Sequence, residues 1–247
     1  DSSRSMFRSR ALASAASLLL RAGCSSGNGG PPLGGYAVGD EPLAVRAGAS
    51  VLAAGGSAAD AVSAMYFTLA VTYPVAASLG GGGLCVVHDA ASGRNEEFDF
   101  LARNAGGGGA YAVPGNVSGF ALLQSVYGRL PWQRVVAPGE GYAATGFPIS
   151  RALAVRLASA ENVIRLDANL ASEFMDESGH VKQADSIVSN ADLGRTLSQI
   201  RRFGPNAFYR GPIARQIIGY SSVESGAVAG ADLSGYQPNR GAPQVVQ

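Results

Sequence analysis

Apolar and polar positions alternate along this chain in two rhythms. Residues 41–54 are rich in Ala, Leu and Val and read as a helix, stopped by Gly55-Gly56. Ser57 then offers an N-cap with Asp60 three residues on, the spacing of a capping box. The helix it opens, 58–71, is apolar nearly all round, which predicts a buried helix ending before Pro74. Four glycines follow, Gly80, Gly81, Gly82 and Gly83, and then the short apolar run 84–88 of strand type. Residues 89–93 read as a hairpin turn into a second strand, 96–100. Beyond a glycine-rich loop at 106–109 the rhythm becomes helical, with helices predicted over 117–127, 132–136 or beyond, 151–159, 192–203 and 213–220. Helices, a strand pair and then a helix-rich half predict α+β, or a layered sandwich, rather than repeated βαβ units.

The first residues read differently. Arg4, Arg8 and Arg10 precede an apolar run at 11–20, and the small residues Ala22, Gly23 and Cys24 close it. A basic stretch, a short apolar core and a small-residue end make an export signal, too short for a permanent bilayer span. Ala22-Gly23-Cys24 followed by two serines resembles a bacterial lipoprotein box with Cys24 as the lipidated residue, although Arg21 stands where that box carries an apolar residue. The expected organisation is an export segment at 1–24, a linker at 25–35 and a folded domain at 36–247.

Composition narrows the chemistry. With 47% hydrophobic and 15% charged residues the 247-residue chain is too apolar for a disordered tail, and its 34 glycines follow no collagen period. A net charge of +1 leaves no electrostatic footprint for nucleic acid. Two cysteines make no disulfide framework, and with His88 and His180 as the only histidines neither a metal site nor a cofactor is expected. The run Gly80 to Gly83 lacks the Lys-Ser/Thr ending of a phosphate loop and leads into a strand, not a helix. Its better reading is close approach of another backbone or a substrate to residues without Cβ. Cys85 reads as a small core hydrophobe and His88 as a hydrogen-bonded strand-end residue. Arg103 is the one arginine in the loop after the second strand, either solvated or functional.

Several segments, taken in order, resemble the γ-glutamyltransferase (γ-glutamyltranspeptidase) family. They are Glu41-Pro-Leu-Ala, the helix start Gly55-Gly-Ser-Ala-Ala-Asp60, Tyr73-Pro-Val running into Gly80 to Gly83, and the hairpin from Asp89 to Gly93. Val113-Pro-Gly-Asn-Val-Ser-Gly119, Tyr127-Gly-Arg-Leu-Pro131-Trp132 and Gly146-Phe-Pro148 continue the series. Asp192-Leu-Gly-Arg-Thr196, Gly204-Pro-Asn-Ala-Phe208-Tyr209-Arg-Gly211 and Ala231-Asp-Leu-Ser-Gly-Tyr236 close it.

The resemblance implies part of an N-terminal-nucleophile hydrolase αββα sandwich, made as a precursor that cuts itself into a large and a small subunit. The new N-terminal Thr of the small subunit would attack the γ-glutamyl carbonyl of glutathione or related amides, with its own α-amine as base. All segments fall on the large-subunit side, so the nucleophile is expected outside this chain and the partner is the small subunit. The family also implies an Arg directly after the strand's Asp-Phe, gripping the substrate α-carboxylate. Here Asp99-Phe100 is followed by Leu101-Ala102, with Arg103 two residues late, so Arg103 is the candidate substrate-binding residue. The loop from there to Pro114 is shorter than is usual for the family. Gly139 and Gly141 interrupt an expected helix, weakening it by about 1 kcal/mol each. These departures leave two alternatives, an acylase of another amide or an inactive lipid-anchored paralogue.

Overall fold

Helix α1 (Pro42–Ala53) starts with proline at its first position, and the Glu41 carboxylate caps it by accepting from the Ala44 N–H at 2.8 Å. The same buried carboxylate oxygen accepts from the Thr72 hydroxyl at 2.9 Å, tying the start of α1 to the end of α2 (Ala58–Thr72). These elements belong to a computed structural model that describes residues 35–106, 108, 111–222 and 227–244. The proposed export segment and its cysteine, Cys24, lie outside the described residues. Residues 34–247 make one compact unit.

Helix α2 is the central element, and its all-round apolarity matches its burial against α1 on one side and α4 (Trp132–Thr145) on another. Its buried hydroxyls cost nothing in lost hydrogen bonds. Ser63, Thr68 and Thr72 each donate to the helix carbonyl four residues back, at 2.7 to 3.1 Å.

The capping box of α2 does more than cap. The Asp60 carboxylate accepts from the Ser57 N–H at 2.9 Å, and it also accepts the Arg129 N–H at 2.7 Å, the Leu130 N–H at 3.1 Å and the Gln124 amide at 3.2 Å. It therefore fixes the turn between α3 (Asn116–Tyr127) and α4 to the start of α2. Burial alone would raise its pKa, but the hydrogen bonds from Arg129, Ser57, Gln124 and Leu130 outweigh it and hold it below the ordinary 3.8. A depressed folded-state pKa contributes stability that is present above the unfolded value near 4 and disappears as pH falls through the lower folded value. Asp60→Asn should cost about 2–3 kcal/mol at neutral pH, because a neutral amide oxygen is a weaker acceptor for the three backbone N–H groups on Oδ2 and the amide nitrogen would face the Gln124 donor on the other side. It should also flatten the fall in melting temperature below pH 4. Equal acid sensitivity of wild type and variant would remove Asp60 from that role.

Strands β1 (Leu84–Asp89) and β2 (Arg94–Asp99) form an antiparallel hairpin with Leu84 opposite Asp99. The second strand opens earlier than the expected residue 96, because the turn closes at once. The Asp89 carbonyl accepts the Gly93 N–H at 2.8 Å, and Gly93 takes φ +68°. A third strand, β7 (Asn239–Gly241), pairs antiparallel with β2, giving the order β1-β2-β7. Alternation sends Cys85, Val87, Glu96 and Phe98 to the inner face. Phe98 and Phe100 pack there with Leu123 of α3 in a small second core. The outer face carries Leu84 and Val86, exposed by 57% and 62%, beside Glu97 and His88.

Helix α4 continues through Pro138 to Thr145, the extension beyond 136 that the sequence left open. Gly139 has a packing role in that helix. A Cβ there would collide with the Phe67 carbonyl, so its absence is what lets α4 lie against the α2 backbone. Gly141 has open space around it. Strand β5 (Phe147–Pro148) pairs with β6 (Ile187–Val188), framing α5 (Arg151–Leu166) and α6 (Ala168–Phe174). Helix α5 extends seven residues past the expected 159, and α6, capped by Asp167, was not anticipated. Val155, Val163, Leu166 and Leu170 lie exposed on these helices, so the apolar positions do not fall on one face and the period is diluted. Helix α7 (Ala191–Phe203) buries Leu197 and Ile200 against α4 and joins it through an Arg201–Glu140 ion pair. Three helices, α8 (Asn206–Tyr209), α9 (Pro212–Ser221) and α10 (Gly230–Gly235), follow in sequence before β7. Among the described residues no helix is long and apolar enough to cross a membrane.

Candidate substrate-anchoring site

The glycine run and the strand end after β2 are built into one another. Gly83 and Phe100 exchange backbone hydrogen bonds at 3.2 and 2.9 Å, extending the β1–β2 pairing by one step. The next residue back, Gly82, runs directly against the peptide joining Leu101 and Ala102. A Cβ at Gly82 would sit 2.6 Å from the Leu101 carbonyl carbon and closer still to the Ala102 nitrogen. Gly81 turns its carbonyl to the start of α3, accepting from Gly115 N–H at 2.9 Å and Asn116 N–H at 3.1 Å. Asn116 itself is buried and donates to the Ser78 carbonyl, which the Tyr66 hydroxyl also reaches, each at 2.9 Å. Gly80, by contrast, has only the Ser78 hydroxyl at 3.8 Å.

Two further glycines complete the crossing. Side chains at Gly115 or Gly119 would collide with the Phe100 carbonyl or the Phe100 ring. The loop from Phe100 to Arg103 is therefore wedged between the glycine run and the α3 N-terminus. Its positions are set by backbone contacts on both sides.

Arg103 opens the two-residue strand β3 (Arg103–Asn104), which pairs with β4 (Ala112–Val113). Arg103 is an exposed residue whose guanidinium lies over the Tyr236 ring, 5.2 Å from the centroid. Tyr236 donates its hydroxyl to the Leu101 carbonyl at 3.0 Å and stacks on Tyr209 with centroids 5.7 Å apart and planes 11° off parallel. Tyr209 is fixed in turn. Its hydroxyl donates to the Pro114 carbonyl at 2.8 Å and accepts the Ser118 N–H at 3.2 Å. Burial raises the pKa of both tyrosines, so both are neutral phenols. Arg103 makes no ion pair among the described residues. Leu101, at the position where the family resemblance implies an arginine, is half-exposed.

Other candidate residues take structural places. Cys85 is half-buried on the inner sheet face and burial pushes its thiol pKa up, the opposite of an activated thiolate. His88 lies on the outer face, bonded to Asn95 at 2.8 Å, so the two form no dyad. The four threonines Thr68, Thr72, Thr145 and Thr196 all lie in helices, and each hydroxyl donates to the carbonyl four residues back. None is poised as a nucleophile. Among the described residues no cluster of His, Cys, Asp or Glu could hold a metal ion. Sequence reasoning passed over Tyr209 and Tyr236 as site residues. They stand far along the chain from Arg103, and only their place in the ordered set of motifs marked them at all.

Comparison with known proteins gives a consistent picture. The family model described as gamma-glutamyltranspeptidase matches residues 44–247. The glutathione hydrolase proenzyme of Pseudomonas aeruginosa is 30% identical over 227 residues, covering 83% of this chain and 39% of that protein. The acylase ACY 1 proenzyme of a Pseudomonas species is 29% identical over 230 residues, 82% of this chain and 41% of that protein. The crystal structure of Helicobacter pylori gamma-glutamyltranspeptidase superposes with a TM-score of 0.78 at 28% identity, covering 84% of this chain and 65% of the other. The fold is thus the helix-rich part of an N-terminal-nucleophile hydrolase sandwich, α+β in class. The chain spans about two fifths of the length of the curated relatives it matches.

Proposed function

From the premise that this chain belongs to the gamma-glutamyltranspeptidase family, we propose that it is the large-subunit portion of an enzyme that transfers or hydrolyses γ-glutamyl groups. The substrates would be glutathione and related amides. The observation that supports the large-subunit reading is the state of the threonines, all four of which lie in helices with their hydroxyls engaged, Thr72 by the Glu41 carboxylate as well as a helix carbonyl. The nucleophile then belongs to a small subunit cut from the same precursor, and this chain contributes the wall that binds the donor. Arg103 is the proposed anchor for the donor's free carboxylate. Its support is a guanidinium held over Tyr236 with no acidic side chain paired to it among the described residues.

We also read residues 1–24 as an export segment, supported by Arg4, Arg8 and Arg10 ahead of the apolar run, with Cys24 as the candidate lipid attachment point. Metabolic labelling with a fatty acid, lost in Cys24→Ala, tests it.

A second reading rests on Leu101. An apolar, half-exposed side chain where the family pattern calls for arginine suits an acyl group without a charged α-carbon, as an acylase would take.

The deciding experiment compares residues 1–247 expressed alone with the product of the whole gene. Alone, the chain should release no chromophore from a γ-glutamyl anilide and should associate through the exposed Leu84 and Val86 of the outer sheet face. The whole product should split in two, the smaller piece beginning with Thr by N-terminal sequencing. Turnover by residues 1–247 alone, or a monomeric and sharply melting isolated chain, would count against a missing catalytic subunit.

A further inference from the structure

We infer that Tyr236 is the positioning residue that carries the displaced Arg103 back to the place of the donor carboxylate, an assignment that rests on the anchoring role proposed for Arg103. In an extended chain, residues two apart share one face about 7 Å from each other. An arginine side chain has a similar reach. A two-residue displacement can therefore be recovered, provided something holds the long side chain pointing back along the strand. Left alone, a solvated arginine samples many rotamers, and ordering it on substrate binding costs affinity.

Tyr236 supplies the hold. Its ring lies under the guanidinium at 5.2 Å, and its hydroxyl is tied to the carbonyl of Leu101, the residue whose place Arg103 must fill. The ring cannot swing away, because it is itself stacked on Tyr209, whose hydroxyl is engaged on both sides by Pro114 and Ser118. Tyr236 is only 7% exposed, so the platform is rigid where the arginine is not. A cation over an aromatic face keeps its in-plane N–H groups free, and these are the donors that grip a carboxylate. The groups facing the guanidinium agree with this. Asp99, the nearest carboxylate on the strand, accepts from the Leu101 N–H, and Asp232 accepts from the Gly106 and Ala229 N–H groups, so neither is paired with Arg103.

The test reads specificity in the matured two-subunit enzyme. The quantity measured is the ratio of kcat/KM for a γ-glutamyl anilide to that for the 4-aminobutyryl anilide, which lacks the α-carboxylate. Because both substrates are run on one preparation, the ratio does not depend on how much enzyme matures. Tyr236→Leu should lower it about threefold to tenfold, through KM with kcat unchanged, and Tyr236→Phe should hold it near the wild-type value because the ring remains. Arg103→Ala should collapse the ratio, and adding Tyr236→Leu to Arg103→Ala should lower it no further. If Arg103→Ala leaves the ratio intact, the anchor reading itself fails. If Arg103→Ala collapses it and Tyr236→Leu does not move it, Tyr236 is overturned as the positioning residue while the anchor stands. Should Tyr236→Leu yield no mature enzyme, Tyr236→Met takes its place, with the same threefold to tenfold drop expected and an unchanged ratio overturning the inference. A carboxylate-specific drop in Tyr236→Phe gives the work to the hydroxyl and likewise overturns it.

Discussion

Gly82→Val is expected to destabilise this chain by about 3 kcal/mol or more and to block its maturation, since the added atoms meet backbone that is fixed from two sides. The position Cβ would take is 2.6 Å from the Leu101 carbonyl carbon. Relief would require the 100–102 strand end to move. That segment is bonded to Gly83 on one side and packed on Gly115 and Gly119 on the other. Gly80→Ala is the matched control, because its nearest neighbour stands at an ordinary 3.8 Å. The measurements are chemical denaturation and, in the whole gene product, the extent of self-cleavage. A Gly82→Val protein that melts and matures like Gly80→Ala would reduce the glycine run to a tolerant loop.

The second large effect concerns Arg103. In the matured enzyme, Arg103→Ala should raise KM for γ-glutamyl donors by an amount matching the loss of about 2–4 kcal/mol of charged hydrogen bonding, thirtyfold or more. Arg103→Lys should restore only part, because an ammonium is a point donor and cannot reproduce the two parallel N–H groups of the fork. On the proposed two-subunit reading the nucleophile lies on the small subunit, so kcat should change little. A KM within about twofold of wild type, roughly 0.4 kcal/mol, would retire Arg103 as anchor. The apolar Leu101 would then define the subsite, and a donor without a free α-carboxylate, the acylase reading, would follow.

Much of the scaffold was legible because local rules and tertiary needs agree in it. Ser57 and Asp60 announce the start of α2, and its unbroken apolarity announces its burial. The hairpin was readable from Asp89 and Gly93, whose chemistry belongs to the turn itself. What escaped was set at a distance. Pro138 and Gly139 look like reasons to end α4, yet the helix continues because Gly139 must let the Phe67 carbonyl through. The two-residue ladders at Arg103 and Phe147 are too short to carry any alternation. In the site, the arginine was visible from its loop, but the Tyr236–Tyr209 stack beneath it exists only once α8 and α10 have been brought to the end of β2. No pattern within either segment reports on that meeting.

The position of β7 has a consequence in time as well as in space. Strands β1 and β2 meet across a four-residue turn, a closure that takes microseconds. The ladder between β2 and β7 brings Arg240 onto Glu96 from 144 residues away, with every helix from α3 to α10 in the intervening chain. Loop-closure entropy makes such a contact late. The sheet therefore grows outward from its middle strand, and its last seam is the Glu96 carboxylate gripped by Arg240 and Tyr127 at 2.6 Å each. A seam formed after the rate-limiting barrier acts on one direction of the reaction only. Loosening it at Arg240 would hasten unfolding and leave the speed of folding as it is.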